Sequence, residues 1–342
     1  MLRKREFCFR NCWLIVFLIA FVFVSCNRNP LKIDVSDVKV NLTYKNYEDD
    51  LFEAKGSLEE EIPMLQEEYG RFFELFNLHM IGVGMPDDDD EFYAQLESFL
   101  NDTMIVNLKG QVDQRINKNE LEQEFIEAFK HYRYYFPNKV VPDIYTCVSG
   151  LNQSIVLADS LIGVSLDKYL GANFDYYPRL GIPAYKIRNM HQQKIVSDAM
   201  YFWAMTEYPM SLKASKVIES MIYQGSMYYF VEAMQPELTD SLNIGFTENQ
   251  LEFCQNSEAN MWNYMAENNL LFSTNRMDIK RYVDDGPYVS VFSTESPGRV
   301  GAWLGWQIVR SYMKNNPEVT LKQLMENQDY LSILNQSGYQ PD

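Results

Sequence analysis

The alternation of apolar and polar residues along the chain predicts a few short strands in its first half. Residues 38–44 alternate strictly, which is typical of a half-buried strand. Two apolar runs follow at 143–149 and 154–166, joined through a glycine-containing loop at 150–152. These two runs predict either a hairpin or two adjacent strands, so a small sheet is expected.

Helical spacing of apolar residues dominates the rest of the chain. Ser57 with Glu60 matches a capping box and predicts a helix that continues to about residue 76. The acidic run 87–91 precedes a helix that carries Phe92 and Leu96, because carboxylates favour a helix N-terminus. Further helices are predicted at 118–135, 195–205, 214–234, 248–267, 300–314 and 321–335. The pattern therefore predicts an α+β, helix-rich fold, in which a small sheet is followed by a mainly helical C-terminal half.

The N-terminus has the features of a bacterial secretory signal. Four basic residues precede an apolar run at 13–24, whose 12 residues fall well short of the roughly 20 that span a bilayer as a helix. Ser25 before Cys26 resembles the end of a lipobox, so Cys26 is the predicted lipidation site. An ordinary signal peptide or an uncleaved anchor are the alternatives. We divide the chain into a signal peptide (1–25), a lipidated tether (26–36) and a single domain (37–342).

Charge narrows the possible partners and the location. The chain has 30 Lys and Arg against 47 Asp and Glu, a net charge of −17, which argues against binding to nucleic acid or to an anionic membrane surface. Membrane contact is therefore expected through lipid on Cys26. Position 28 is Arg and not the Asp of an inner-membrane retention signal. We expect the cell envelope, at the periplasmic face of the outer membrane.

Cysteine and histidine give no pattern typical of a metal site. Cys147 and Cys254 could form a disulfide, but two buried free thiols are the interpretation we favour. His79, His131 and His191 lie in separate predicted segments, so each is interpreted as a surface or packing residue. The sequence predicts no metal and no cofactor.

Two glycines predict a close contact between helices. Gly301 and Gly305 are four residues apart in a predicted helix, so they leave one of its faces without side chains. The segment is too short and too polar to be a membrane dimer motif. We therefore expect this face to pack closely against another helix of the core.

Three stretches of the chain resemble one family. They are residues 148–150 with 159–171, residues 203–209 with 221–230, and residues 296–312. In this order after a lipobox, they resemble the gliding-motility lipoprotein B (GldB) family of Bacteroidota, from about residue 30 to residue 340. The resemblance implies a lipoprotein whose protein partners belong to the gliding and type IX secretion machinery. It implies no chemical activity.

GldB-like proteins in turn resemble zinc peptidases of the zincin type, in which a helix carries His-Glu-x-x-His. Matching the motifs puts the two histidine positions on Thr206 and Met210, the general base on Glu207, and the third ligand on Gln224. Only Glu207 keeps its chemistry, and Pro209 lies inside the helix that would hold the metal. The resemblance therefore implies a degenerate zincin-like domain that has lost its metal.

Carboxylates offer few further site candidates. Glu207 could be a retained polar contact of an old peptide cleft, but a surface carboxylate or one paired with a basic residue is favoured. Asp159, Asp167, Asp284 and Asp285 could form acidic pairs, although such spacings are common in an acidic chain. None of them defines a site by itself.

Three functions are consistent with these observations. The favoured one is an outer-membrane-anchored, non-catalytic protein-interaction component of the gliding and type IX secretion machinery. The second is an active periplasmic peptidase, or envelope-peptide hydrolase, that uses Glu207. The third is a peptidoglycan- or peptide-binding module that uses the old substrate cleft. The sequence leans against an enzyme without deciding the matter.

Overall fold

The computed structural model describes residues 29–87 and 91–341. The predicted signal peptide and Cys26 lie outside the described residues, as does most of the acidic run 87–91. The chain divides into one unit that ends at Ile33 and a second that begins at Asp34. This second unit contains every helix and strand in the described part of the chain.

The sheet is mixed and has four strands within the described residues. Strand β1 (Tyr44–Asn46) pairs in parallel with β2 (Asp143–Cys147). On its other side β2 pairs in parallel with β4 (Leu161–Ser165), and β3 (Ile155–Ala158) lies antiparallel to β4 at the edge. The order is therefore β1-β2-β4-β3. The prediction that residues 143–149 and 154–166 contribute adjacent strands is confirmed.

Two details of the strand prediction were wrong. Only the last residue of the alternating segment 38–44 belongs to a strand, because β1 begins at Tyr44. The run 154–166 is itself a hairpin and not one strand. Ser160 adopts the left-handed conformation with φ 60°, which reverses the chain between β3 and β4.

The first half of the chain also holds a group of helices. They are α1 (Tyr47–Glu53), α2 (Leu58–Tyr69), α3 (Arg71–Leu75), a π-helical turn (Phe76–Met80), α4 (Phe92–Asn101), α5 (Thr103–Arg115) and α6 (Lys118–Tyr135). The predicted helix at 118–135 is confirmed. Helix α2 begins next to Ser57 as predicted, but the capping box is wrong. The Ser57 hydroxyl donates to the carbonyl oxygen of Ala54, and no side chain caps the helix.

The second half is mainly helical, as predicted. Its helices are α7 (Tyr176–Arg179), α8 (Ala184–Ile187), α9 (Ile195–Glu207), α10 (Val217–Met234), α11 (Asp240–Ile244), α12 (Glu248–Glu267), α13 (Arg276–Tyr282), α14 (Val300–Asn315), α15 (Leu321–Glu326) and α16 (Tyr330–Ser337). Helix α9 ends just before Pro209, which is the effect expected of that proline. The single helix predicted at 321–335 was wrong, because the chain leaves the helical conformation at 327–329.

Helices α10 and α14 pack with their backbones in contact. A Cβ atom on Gly225 of α10 would lie 2.3 Å from the carbonyl carbon of Gly305 in α14. A Cβ atom on Gly301 would lie 2.8 Å from the carbonyl oxygen of Tyr282. The close helix contact expected from Gly301 and Gly305 is confirmed.

The structure also shows where the two cysteines and two of the histidines lie. Cys147 and Cys254 are free and buried, and burial raises the pKa of both thiols, so both are protonated at neutral pH. His131 is buried, whereas His79 is exposed. No helix among residues 29–87 and 91–341 has the length and apolar character needed to cross a membrane.

Candidate functional site

A cleft of about 630 Å³ opens where α9, the segment 180–190 and the N-terminus of α14 meet. Its charged lining consists of Lys168, Lys186, Lys194, Arg299, Asp198 and Asp285. Four cations therefore face two carboxylates, in a chain whose net charge is −17. The cleft is a locally positive site on an acidic protein.

Arg299 is held in place from three directions. It is the residue just before α14 and has a left-handed backbone, with φ 56° and ψ 25°, a conformation that costs a side chain other than glycine about 1 kcal/mol. Its Nη1 donates to the hydroxyl of Tyr228 at 2.9 Å and its Nη2 to the carbonyl oxygen of Ile244 at 2.8 Å. Its Nε lies 3.4 Å from a carboxylate oxygen of Asp285. The guanidinium is therefore fixed before any ligand arrives.

The turn just before α14 also holds the loop that carries Asp285. The side chain of Ser296 is fully buried, and its hydroxyl accepts a hydrogen bond from the Val289 amide at 3.0 Å. A Cβ atom on Gly298 would lie 2.2 Å from the carbonyl oxygen of Gly286, so only glycine allows the two backbones to come this close. The loop and the turn thus keep the carboxylate beside the guanidinium.

Lys194 forms the second charge pair of the cleft, with Asp198. Its side chain is only 6% exposed, and its Nζ lies 3.0 Å from Asp198 Oδ1. The same ammonium donates to the carbonyl oxygens of Leu242 at 3.0 Å and Asn243 at 3.1 Å. The other carboxylate oxygen of Asp198 accepts from the hydroxyl of Tyr169 at 3.2 Å. Lys194 is therefore neutralised and fully hydrogen-bonded within the protein.

Lys168 and Lys186 differ from Arg299 and Lys194 in how their positive charge is balanced. Within the described ranges, no carboxylate pairs with either ammonium at salt-bridge distance, and Lys168 Nζ donates to the carbonyl oxygen of Leu151 at 3.2 Å. Burial lowers the pKa of Lys168, and the charge of Lys186 lowers it further, against the opposing effect of Asp167. Like charges thus lie near each other at the cleft, so a bound anion would stabilise both.

Two tyrosines, Tyr201 and Tyr228, also line the cleft. The rings of Tyr201 and Tyr228 are 5.0 Å apart, and the Tyr201 hydroxyl donates to Oε1 of Gln224. Burial raises the pKa of both hydroxyls, so each is protonated at neutral pH. Their polar groups have partners inside the protein.

Glu207 lies in a second, smaller cavity. Its carboxylate is 2.6 Å from Lys139 Nζ, and a space of about 260 Å³ beside the pair is also lined by Ser226 and Tyr330. A general base of a zinc peptidase must face a metal-bound water. Here the carboxylate faces an ammonium group.

The other positions matched to zinc ligands have unrelated surroundings. Thr206 is exposed and its hydroxyl donates to the carbonyl oxygen of Phe202 at 3.1 Å, while Met210 is half-buried beyond the end of α9. Gln224 accepts from Tyr201, a residue of the larger cleft. In the part of the chain that the structure describes, no three His, Cys, Asp or Glu side chains form a group that could hold a metal. These residues do not fit a zinc site.

The four aspartates considered as acidic pairs also have separate places. Asp285 lies beside Arg299, and Asp167 is buried and accepts hydrogen bonds from backbone amides. Asp159 and Asp284 are exposed. Of the four, only Asp285 belongs to the cleft.

The three stretches that carry the family resemblance meet at the larger cleft. Lys168 and Tyr169 come from the first stretch, Tyr228 from the second and Arg299 from the third. Of the charged residues of this cleft, only Asp285 was considered from the sequence, as part of an acidic pair. One signal in the sequence could have found them: Arg299 is a charged residue that lies between Gly298 and Gly301.

These features define a helix-rich α+β protein with a polar, positively charged cleft at the junction of its helices. The chain matches the family model of the gliding motility protein GldB over residues 28–341. It therefore belongs to the GldB family, which confirms the resemblance found in the sequence. No curated protein and no solved structure matches the chain.

Proposed function

We propose that this protein is a non-catalytic, protein-binding component of the gliding-motility and type IX secretion machinery. The name of its family points to gliding motility, and a location in the cell envelope fits that family. The proposal adds that lipid on Cys26 anchors the chain in the outer membrane. Residues 37–342 then act as one domain on the periplasmic side.

The ion pair between Glu207 and Lys139 carries the non-catalytic part of the proposal. Lys139 Nζ lies 2.6 Å from one carboxylate oxygen of Glu207, whereas the general base of a zinc peptidase faces a metal-bound water. Gln224, the match to the third ligand, is held by Tyr201. The degenerate zincin-like interpretation is therefore supported by the partners these side chains have acquired.

The lining of the larger cleft supports a binding role. Arg299 and Lys194 are each fixed by a carboxylate and by backbone carbonyl oxygens. A site whose charged groups are already ordered loses less entropy when a partner docks. The cleft is thus suited to recognising another molecule.

Capture from native membranes tests this function. The tagged full-length protein is crosslinked in cells of its source organism, purified from solubilised membranes and compared with a Cys26→Ser variant and with a tagged unrelated lipoprotein. We expect metabolic labelling with palmitate on the original chain and on the unrelated lipoprotein but not on the Cys26→Ser variant. We also expect the original chain to enrich gliding or secretion components over the unrelated lipoprotein. Equal recovery of those components by both baits would refute the proposed role.

A further inference from the structure

We propose that the larger cleft binds a peptide segment that carries a carboxylate, and that Lys168 and Lys186 hold that negative charge. The inference rests on the proposed function, because it names the chemistry of the segment that a protein partner would present. It goes further by assigning a ligand class and two recognition residues.

The first step of the inference is a difference among the four cations of the cleft: in the part of the chain that the structure describes, two are paired with carboxylates and two are not. Asp285 pairs with Arg299 and Asp198 pairs with Lys194, so both carboxylates of the described cleft lining already have a cation partner. An ammonium has three N–H donors, and Lys168 is seen to use one of them on the protein, towards the carbonyl oxygen of Leu151. The positive charge left over is available to a ligand.

The acidic character of the whole chain strengthens this step. A protein with a net charge of −17 repels anions over most of its surface. Two cleft lysines that have no carboxylate at salt-bridge distance within the described residues are therefore a favourable place for an anion. Because their charges also repel each other, an anion between them would relieve that repulsion.

Apolar side chains beside the lysines set the second requirement on the ligand. Leu180 and Phe202 line the cleft and are both exposed, and Ile182 lies in the same segment as Leu180. A ligand that covers them removes apolar surface from water, at roughly 25 cal/mol per Å². A peptide supplies an apolar side chain and a carboxylate together, whereas inorganic phosphate supplies only charge.

The tyrosines of the cleft argue against a sugar as the main ligand. The hydroxyls of Tyr169, Tyr201 and Tyr228 are hydrogen-bonded to Asp198, Gln224 and Arg299 respectively. Neutral sugars need many hydrogen-bonding partners, and these groups are already committed. The volume of about 630 Å³ lies within the range of ordinary ligand pockets and suits a few residues of peptide.

Binding of randomised tetrapeptide pools tests the inference. The full-length protein in detergent is offered a pool with free C-terminal carboxylates and a matched pool with C-terminal amides and no Asp or Glu. We expect the carboxylate pool to be retained about tenfold more than the amide pool, which corresponds to about 1.4 kcal/mol. Equal retention of the two pools overturns the proposal.

Variants then assign the binding to the two lysines. Lys168→Gln with Lys186→Gln should abolish the preference, while Lys168→Arg with Lys186→Arg should keep most of it. Lys322→Gln serves as the matched control, because Lys322 is an exposed lysine of α15 outside the cleft lining. Circular dichroism melting checks that each variant is folded. A preference that survives in the folded double-glutamine variant overturns the assignment.

A competition with inorganic phosphate and a comparison with membrane capture distinguish the remaining outcomes. If millimolar inorganic phosphate displaces the bound peptides as well as the free-acid pool does, the site recognises charge alone and the peptide assignment is wrong. If membrane capture of the machinery succeeds while peptides fail to bind, this inference fails and the proposed function stands. If peptides bind while capture fails, the proposed function fails instead.

Discussion

A Cβ atom on Gly305 of α14 would lie 1.8 Å from the carbonyl oxygen of Met221 in α10. The backbone fixes the positions of both atoms, so no side-chain rotation could relieve the overlap. This contact sets the distance between the two helices. Arg299 immediately precedes α14 and its partner Tyr228 lies on α10, so the same distance also positions the base of the cleft.

Gly305→Ala is therefore expected to destabilise the protein by about 3 kcal/mol or more, because α10 and α14 must move apart. Gly110→Ala is the control, since Gly110 lies in α5 with nothing within 4 Å of an added Cβ atom. That substitution should be neutral or stabilise by up to about 1 kcal/mol. Urea denaturation followed by circular dichroism measures both, and equal effects would contradict the packing described for α14.

A buried ion pair predicts a second large effect. The carboxylate of Glu48 is fully buried, 2.7 Å from Lys118 Nζ, and accepts from the Thr146 hydroxyl at 2.7 Å. Burial raises the pKa of Glu48 and the charge of Lys118 opposes the rise. Lys118→Met should cost about 3–5 kcal/mol, because it removes the ammonium that pairs with the buried Glu48 and, at 2.6 Å, with Asp49.

Glu48→Gln combined with Lys118→Met should cost less than the sum of the two single variants. Lys322→Met provides the comparison, because Lys322 and Glu326 form an exposed pair at 3.8 Å whose loss should change stability by less than about 0.5 kcal/mol. Thermal and urea unfolding of the original protein and of these four variants completes the test. Strict additivity would mean that the pair is not energetically coupled.

Asp167 predicts a pH dependence of stability. The carboxyl group is buried and accepts from the amides of Ser149 and Leu151, and burial raises its pKa from the usual 3.8 to about 6. Between these two values the folded state holds a proton that the unfolded state releases, so unfolding becomes easier as pH rises. The contribution is fully present below pH 3.8 and is lost as pH rises through about 6, amounting to about 3 kcal/mol.

Comparison with the Asp167→Asn variant isolates this contribution, because the amide does not titrate. As pH rises from 4 to 7, the unfolding free energy of the original protein should fall by about 2–3 kcal/mol relative to that of the variant. Urea titrations at half-unit pH steps supply the values. A difference that stays constant over this range would show that Asp167 titrates normally.

Metal content tests the degenerate zinc site. Residues 27–342 purified without chelator should contain less than about a tenth of an equivalent of zinc, because Glu207 pairs with Lys139 and a neutral amide stands at Gln224. Glu207→Gln should leave that value unchanged. Near one equivalent, lost in Glu207→Gln or Gln224→Ala, would instead favour the peptidase and make peptide hydrolysis the next assay.

Helix boundaries were the most predictable part of the fold. The helices expected at 118–135 and 248–267 have those bounds in the structure, and α9 ends where Pro209 requires. The apolar spacing, the caps and the proline act within one or two turns of the chain. Such local effects can be read from sequence alone.

Strands and the capping box were less predictable. Residues 38–43 alternate like a strand but precede β1, and of them Thr43 contacts the sheet, its carbonyl oxygen accepting from the Ile144 amide. Strand pairing here depends on a segment about a hundred residues away. Ser160 turns the chain in a conformation that glycine favours, so its position did not mark a hairpin. The Ser57 hydroxyl donates backwards to the carbonyl oxygen of Ala54 instead of accepting from the Glu60 amide, and the spacing of the residues does not decide between the two.

The helix-rich class, the family and the close approach of the glycine-bearing helix were all predictable from the amino-acid sequence. The cleft was decided by tertiary structure. Lys168, Lys194 and Arg299 are far apart in the chain, and only the packing of α10 against α14 and of α9 against α10 and β4 brings them to one space. Whether a lysine is neutralised by an aspartate or left for a ligand depends on distances of a few ångströms, because ion pairing falls off steeply with separation. Those distances exist only once the helices have packed.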